Sequence, residues 1–121
     1  MGETPTEKGK TQMAFDALEV ALQINQLVAP LAQVIRQHDP DMARQIRRAA
    51  QSIPANLAEG RKRVGRDRLH LFRIANGSAA EVKVTLQSAE AWSFIGSDAL
   101  GDALELLDRE LAMTWRLTHP R

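Results

Sequence analysis

The sequence has no cysteine and no tyrosine, and aromatics make up only 4% of its 121 residues. Without cysteine there are no disulfides, no thiolate nucleophile and no thiolate-bound zinc, which fits a reducing compartment. A core short of aromatic rings must be packed with Leu, Ile, Val and Ala, which suits closely apposed helices. Histidine is scarce too: His38 sits at a turn, His119 at the C-terminus, and His70 has Ile74 rather than a ligand at i+4. No Glu-x-x-His pair occurs, so the di-iron signature of helical bundles is missing, and we expect no metal and no cofactor. Serines 52, 78, 88, 93 and 97 lie on or beside expected helices, with no strained nucleophile elbow. The two glycines of Glu59-Gly60 to Gly65 make no phosphate-binding loop. The expectation is a protein without a catalytic site. No apolar run approaches the ~18 residues of a membrane span, and the polar opening is not a signal peptide. The expected location is the cytoplasm.

What is present is helical periodicity. Residues 1–12 read as a flexible tail and 13–121 as one domain. A first helix is expected from about Ala14 to Gln37, with two apolar stripes: Phe15, Leu18, Leu22, Ala29, and Val20, Ile24, Leu27, Leu31, Ile35. Pro30 should kink it. Asp39 and Pro40 suit the cap and first position of a second helix. Its buried stripe is Ile46, Ala49, Ala50, Ile53 and Leu57, with a kink at Pro54. A third helix follows the unbroken 3-4 spacing of Phe72, Ala75, Ala79, Val82, Leu86 and Ala89. Gly77 within it suggests close helix approach, and Gly96 a C-cap. A fourth helix, from about Asp98 to Leu117 and capped by Ser97 or Asp98, offers Leu100, Leu104, Leu107, Leu111 and Trp115 as its inner face. Four helices joined by short turns give an all-α, antiparallel up-and-down four-helix bundle.

The net charge of +1 conceals a split. Arg44, Arg47, Arg48, Arg61, Lys62, Arg63, Arg66, Arg68 and Arg73 face only Glu59 and Asp67, so that stretch carries +7. From Ile74 to Trp115 the balance is −5. Arg44, Arg47 and Arg48 share one helix face by their i, i+3, i+4 spacing. Guanidinium groups match phosphate bidentately, so the basic stretch is a nucleic-acid-binding candidate. The same pattern also suits a solvated face, or +7 and −5 surfaces of neighbouring subunits pairing.

The stretch Gln45-Ile-Arg-Arg-Ala-Ala-Gln-Ser-Ile-Pro-Ala-Asn-Leu-Ala-Glu-Gly60 resembles the signature of the bacterial four-helix-bundle family encoded in intervening sequences of 23S rRNA genes. The segment Phe72-Arg-Ile-Ala-Asn-Gly-Ser-Ala-Ala-Glu81 and the opening Phe15-x-x-Leu18-x-Val20 are similar to that family as well. The resemblance runs from about residue 14 to the end. It implies a four-helix protomer assembling as a ring-shaped homopentamer. A related branch, the accessory protein of diversity-generating retroelements, forms a basic pentameric barrel that binds a reverse transcriptase and nucleic acid. Ala21-Leu22-Gln23-Ile24 departs from the aromatic and basic residues common there, leaving less charge on the first helix. Within the motif, Asn56 and Glu59 follow Pro54 and are expected to satisfy backbone groups freed by the proline or to pair with Arg47 or Arg48. Asn76 and Glu81 would complete that polar network from the third helix. The expected function is a homo-oligomeric scaffold binding structured RNA or DNA, with a protein-binding adaptor, for a polymerase or reverse transcriptase, as the alternative.

Overall fold

The computed structural model describes residues 5–119, with side chains from 12 onward. Among these residues it is all-α: α1 (Pro5–His38), α2 (Pro40–Arg61), α3 (Gly65–Ala91) and α4 (Gly101–Thr118), with a 3-10 turn at Ser97–Ala99 before α4. Each helix packs on its sequence neighbours, and α1 also packs on α4, which leaves α2 and α4 diagonally opposed. This is the expected up-and-down bundle. Its core is built from fully buried Ile24, Ile35, Ile46, Ile53, Leu57, Leu86 and Leu107. Each contributes roughly 1.5–3 kcal/mol of burial. Between them Ala17, Ala21, Ala75 and Ala79 are equally buried, so the helices approach closely.

α1 starts at Pro5, so residues 5–12, expected as part of a flexible tail, are its first two turns. Residues 1–4 of that expected tail lie outside the described residues. Within α1, Gln12–His38 has the length and mean hydropathy, 1.3, of a membrane span, contrary to expectation. One side of it is core, with Ala17, Ile24 and Ile35 buried against the other helices; the rest mixes exposed Glu19, Gln23, Gln26, Gln33 and Arg36 with exposed Phe15, Leu22 and Val34.

The Asp39-Pro40 start of α2 is as expected, with the Asp39 carboxylate accepting the Met42 N–H at 3.0 Å. Both α1 and α2 run unbroken through their prolines. Pro54 lacks the N–H that would reach the Ala50 carbonyl one turn back. Asn25 of α1 supplies the substitute: its Nδ2 donates to Ala50 O at 2.8 Å and to Ala21 O at 2.9 Å. Pro30 lies on the exposed side of α1, as does Gln26, whose carbonyl it leaves free for water.

The α3 seam is buried as its spacing predicts, from Phe72 to Ala89. Its glycine is not. Gly77 has open space where a side chain would go, whereas a Cβ on Gly60 would stand 2.6 Å from Phe72 Cε1. The close approach is therefore between the end of α2 and the start of α3. The end of α3 also differs from expectation. Ser93 takes the left-handed conformation at φ 62°, and Gly96 lies beyond it. Phe94 N–H bonds to Ala89 O and Ser93 N–H to Glu90 O, both at 2.9 Å, a Schellman closure. Phe94 packs on the core and stacks on His38, with ring centroids 5.0 Å apart. Burying Phe94 and Ile95 ends the helix before Gly96 is reached.

α4 corrects the sequence most. Its buried stripe is Ala103, Leu107, Glu110, Thr114 and Leu117. Of the expected inner face only Leu100 and Leu107 are buried; Leu104 and Leu111 are half-buried. Trp115 is 55% exposed and stacks on His119 at 4.0 Å. Asn76 of α3 sets this rotation, donating to Thr114 Oγ1 at 2.8 Å and to Leu111 O at 3.2 Å. The helix starts at Gly101 with no side-chain cap, because Ser97 and Asp98 are in the 3-10 turn.

Candidate nucleic-acid interface

α2, the turn after it and the first half of α3 carry all nine basic residues expected to bind phosphate, and the fold divides them. Four are already engaged. Arg44 pairs with Asp41. Arg63 pairs with Glu59 at 2.9 Å. Arg61 lies over the Phe15 ring, 5.3 Å from its centroid. Arg68 donates Nε to Gly60 O at 3.3 Å and an Nη to Arg61 O at 3.2 Å. It thus ties down the end of α2, adding a bond to Gly60 O, which also accepts the Arg63 N–H at 3.1 Å, and bonding Arg61 O, a structural role that its place in the basic run did not disclose. Both ion pairs are exposed and contribute little to stability.

Arg47, Arg48, Lys62, Arg66 and Arg73 are exposed and make no ion pair or side-chain hydrogen bond among the described residues. Arg48 and Lys62 are separated by fourteen residues of α2 and its exit, ~21 Å along the axis. The free cations therefore form a strip rather than a point. Among the described residues none of the five pairs with an acid of α4. Asp102, Glu105 and Asp108 are exposed on the helix diagonal to α2, and Asp108 pairs with Lys83 at 2.6 Å.

The expected polar network of Asn56, Glu59, Asn76 and Glu81 is not assembled. Asn56 Nδ2 donates to Ser52 O and Oγ at 2.8 and 2.9 Å, and Ser78 Oγ joins Ser52 Oγ at 2.9 Å across α2 and α3. Glu59 pairs with Arg63 rather than Arg47 or Arg48. Asn76 turns to α4, and the Glu81 side chain is exposed. The proline's partner is Asn25, a residue on another helix that no local pattern marks.

Sequence reasoning also missed Glu110. Its side chain is fully buried, and neither carboxylate oxygen has a hydrogen-bond partner among the described residues. Burial pushes its pKa from 4.5 to about 8, so at neutral pH it is a protonated, uncharged acid. Among the described residues no three His, Cys, Asp or Glu side chains gather as a metal site.

A family model described as 23S rRNA-intervening sequence protein matches residues 10–116. No curated protein matches the chain. A crystal structure of a protein of unknown function of the S23 ribosomal protein family, from Bacteroides thetaiotaomicron VPI-5482, superimposes with a TM-score of 0.76 at 18% identity. The match covers 86% of this chain and 99% of that one, and at this identity it shows a shared fold.

Proposed function

This chain belongs to the 23S rRNA-intervening sequence protein family, and from that premise and its surface we propose that it is a non-enzymatic, homo-oligomeric helical scaffold that binds structured RNA or DNA through α2 and α3. The observation that carries this reading is the set of five exposed cations, Arg47, Arg48, Lys62, Arg66 and Arg73, along α2 and α3, none of them in an ion pair among the described residues. Such a strip contacts phosphates through released counterions and reads sequence weakly. The family resemblance supports a homopentameric ring. Exposed Leu22, Val84 and Trp115 give such a ring apolar surface to cover. The protein acts in the cytoplasm.

Fluorescence anisotropy with labelled structured RNA, duplex DNA and single-stranded DNA across a salt series tests the proposal. Log affinity should fall steeply with log salt. Lys62→Glu, Arg66→Glu and Arg73→Glu together should weaken binding and flatten the slope by about 0.9 for each phosphate no longer neutralised, with the helical signal intact. No binding to any of the three at low salt sinks the reading.

Val64 favours a second reading. It is 78% exposed between Arg63 and Arg66, an apolar point ringed by cations. That suits docking of an acidic protein such as a polymerase or reverse transcriptase. Recovery of one protein in a pull-down after nuclease treatment, abolished by Val64→Asp, supports this adaptor role.

A further inference from the structure

Between α1 and α2 runs a groove of about 320 Å³, in the size range of small-ligand clefts. It exists because the facing residues are small: Ala29, Ala32, Ala43 and Ala50 line it where longer side chains would close it. Its polar lining comes from Arg36 and Gln33 of α1 and Arg47 and Gln51 of α2, and no acidic residue lines it. Neither arginine has an ion-pair partner among the described residues. Arg36 lies outside the basic stretch of the sequence and joins Arg47 only through the fold.

Asn25 gives the groove a second chemistry. Both hydrogens of its amide are spent on the Ala21 and Ala50 carbonyls. Its orientation is therefore fixed, and Oδ1 remains as an acceptor at the end of the groove away from Arg36. The groove spans twelve residues of α1 from Asn25 to Arg36, ~16 Å. It presents guanidinium donors for an anion, a fixed acceptor for an N–H, carboxamides able to do both, and a flat alanine floor. A phosphate alone would leave the acceptor and floor unused, and a carboxylate ligand equally so. A nucleotide matches all of them.

We infer that the α1–α2 groove binds an unpaired nucleotide, with phosphate held by Arg36 and Arg47 and the base lying over the alanines within reach of Asn25 Oδ1. This rests on the reading that the chain binds nucleic acid. It goes further in assigning a base-accepting site beside the cationic strip, where loops of a structured RNA offer splayed bases. The same chemistry is offered by a free mononucleotide, and the test separates the two.

The probes are a labelled eight-nucleotide single-stranded RNA, a duplex of the same length, and AMP as competitor. Arg36→Gln, at the groove arginine that is not part of the strip, should weaken single-strand binding roughly 10-fold while the duplex, held by the strip, weakens about threefold or less. Ala29→Leu fills the groove without changing charge. It should lower single-strand affinity with the salt slope unchanged. Lys62→Gln with Arg66→Gln and Arg73→Gln should weaken both probes alike. Circular dichroism and melting establish that each variant folds. If AMP displaces the strand and itself fails to bind Ala29→Leu, the site takes free nucleotide. If AMP does not compete while the strand remains sensitive to Ala29→Leu, the site takes the unpaired nucleotide of a chain. Wild-type-like single-strand affinity in Ala29→Leu, or equal weakening of both probes in Arg36→Gln, overturns the groove assignment and leaves the strip standing. If the wild-type protein binds neither strand, both readings fall.

Discussion

α2 and α4 sit diagonally in the same bundle and obey opposite rules. α2 starts with a side-chain cap and a proline at its first position, buries only Ala, Ile, Leu and Gly, and leaves its charges outside. α4 starts on an uncapped leucine and buries an acid and two threonines. Thr114 bonds to the backbone and to Asn76, but Glu110 bonds to nothing among the described residues. The difference shows where the stability of this fold is made and where it is given up. α2 is held in place by interactions that agree with one another, so its outer face is free to carry cations. α4 is held by packing that overrides a buried acid.

The largest test of this contrast is at Glu110. Unfolded, its carboxyl ionises near 4.5; folded, only near 8. Between those values the folded state keeps a proton that the unfolded chain has released. Stability is therefore unpenalised below about pH 4.5 and falls as pH rises to about 8, by a total on the order of 4 kcal/mol. Glu110→Leu should remove this slope and raise stability at pH 8 by roughly 3 kcal/mol, read from urea unfolding at pH 5 and pH 8. Glu110→Gln should flatten the slope alone. A wild-type urea midpoint that is the same at both pH values would mean that the acid is hydrated.

Next in size is the α2–α3 approach. Gly60→Ala drives a Cβ into Phe72 and should cost about 2 kcal/mol, whereas Gly77→Ala, with open space, should stabilise α3 by about 1 kcal/mol. Similar thermal shifts for the two would erase the distinction between these glycines. Asp39→Ala should then cost about 1 kcal/mol by removing the cap of α2, measurable by chemical denaturation. Smallest is Ser93→Gly, which relieves a left-handed serine and should gain about 0.5–1 kcal/mol. A loss of stability there would mean that the serine side chain contributes an interaction of its own.

Local signals made most of α2 and α3 legible in the sequence. Asp39-Pro40 needs only its neighbours to be read as a helix start, and the Phe72 to Ala89 seam repeats without interruption. α4 misled because Leu104, Leu111 and Trp115 make a better apolar stripe than one containing Glu110 and Thr114. The helix is turned by a bond from Asn76, which lies 35 residues from Leu111 and outside any periodicity. The basic residues were visible as a group, but not their division. Arg68 as a cap, Arg61 over Phe15 and Arg36 beside Arg47 all depend on segments brought together by folding.

The Asn25–Ala50 bond carries a consequence for heredity. Pro54 deletes a backbone donor in one helix, and a side chain in another replaces it. The two positions are bound as a pair across 29 residues of sequence, and neither change is neutral alone. Losing the amide while the proline stays strands a buried carbonyl. Restoring the N–H at 54 leaves the asparagine a polar guest with half its bonds. Drift through this part of the fold therefore has a preferred order. The proline is released first, at small loss, and only then is the asparagine free to vary. Descendants should show proline without a donor on the first helix far less often than a donor without proline.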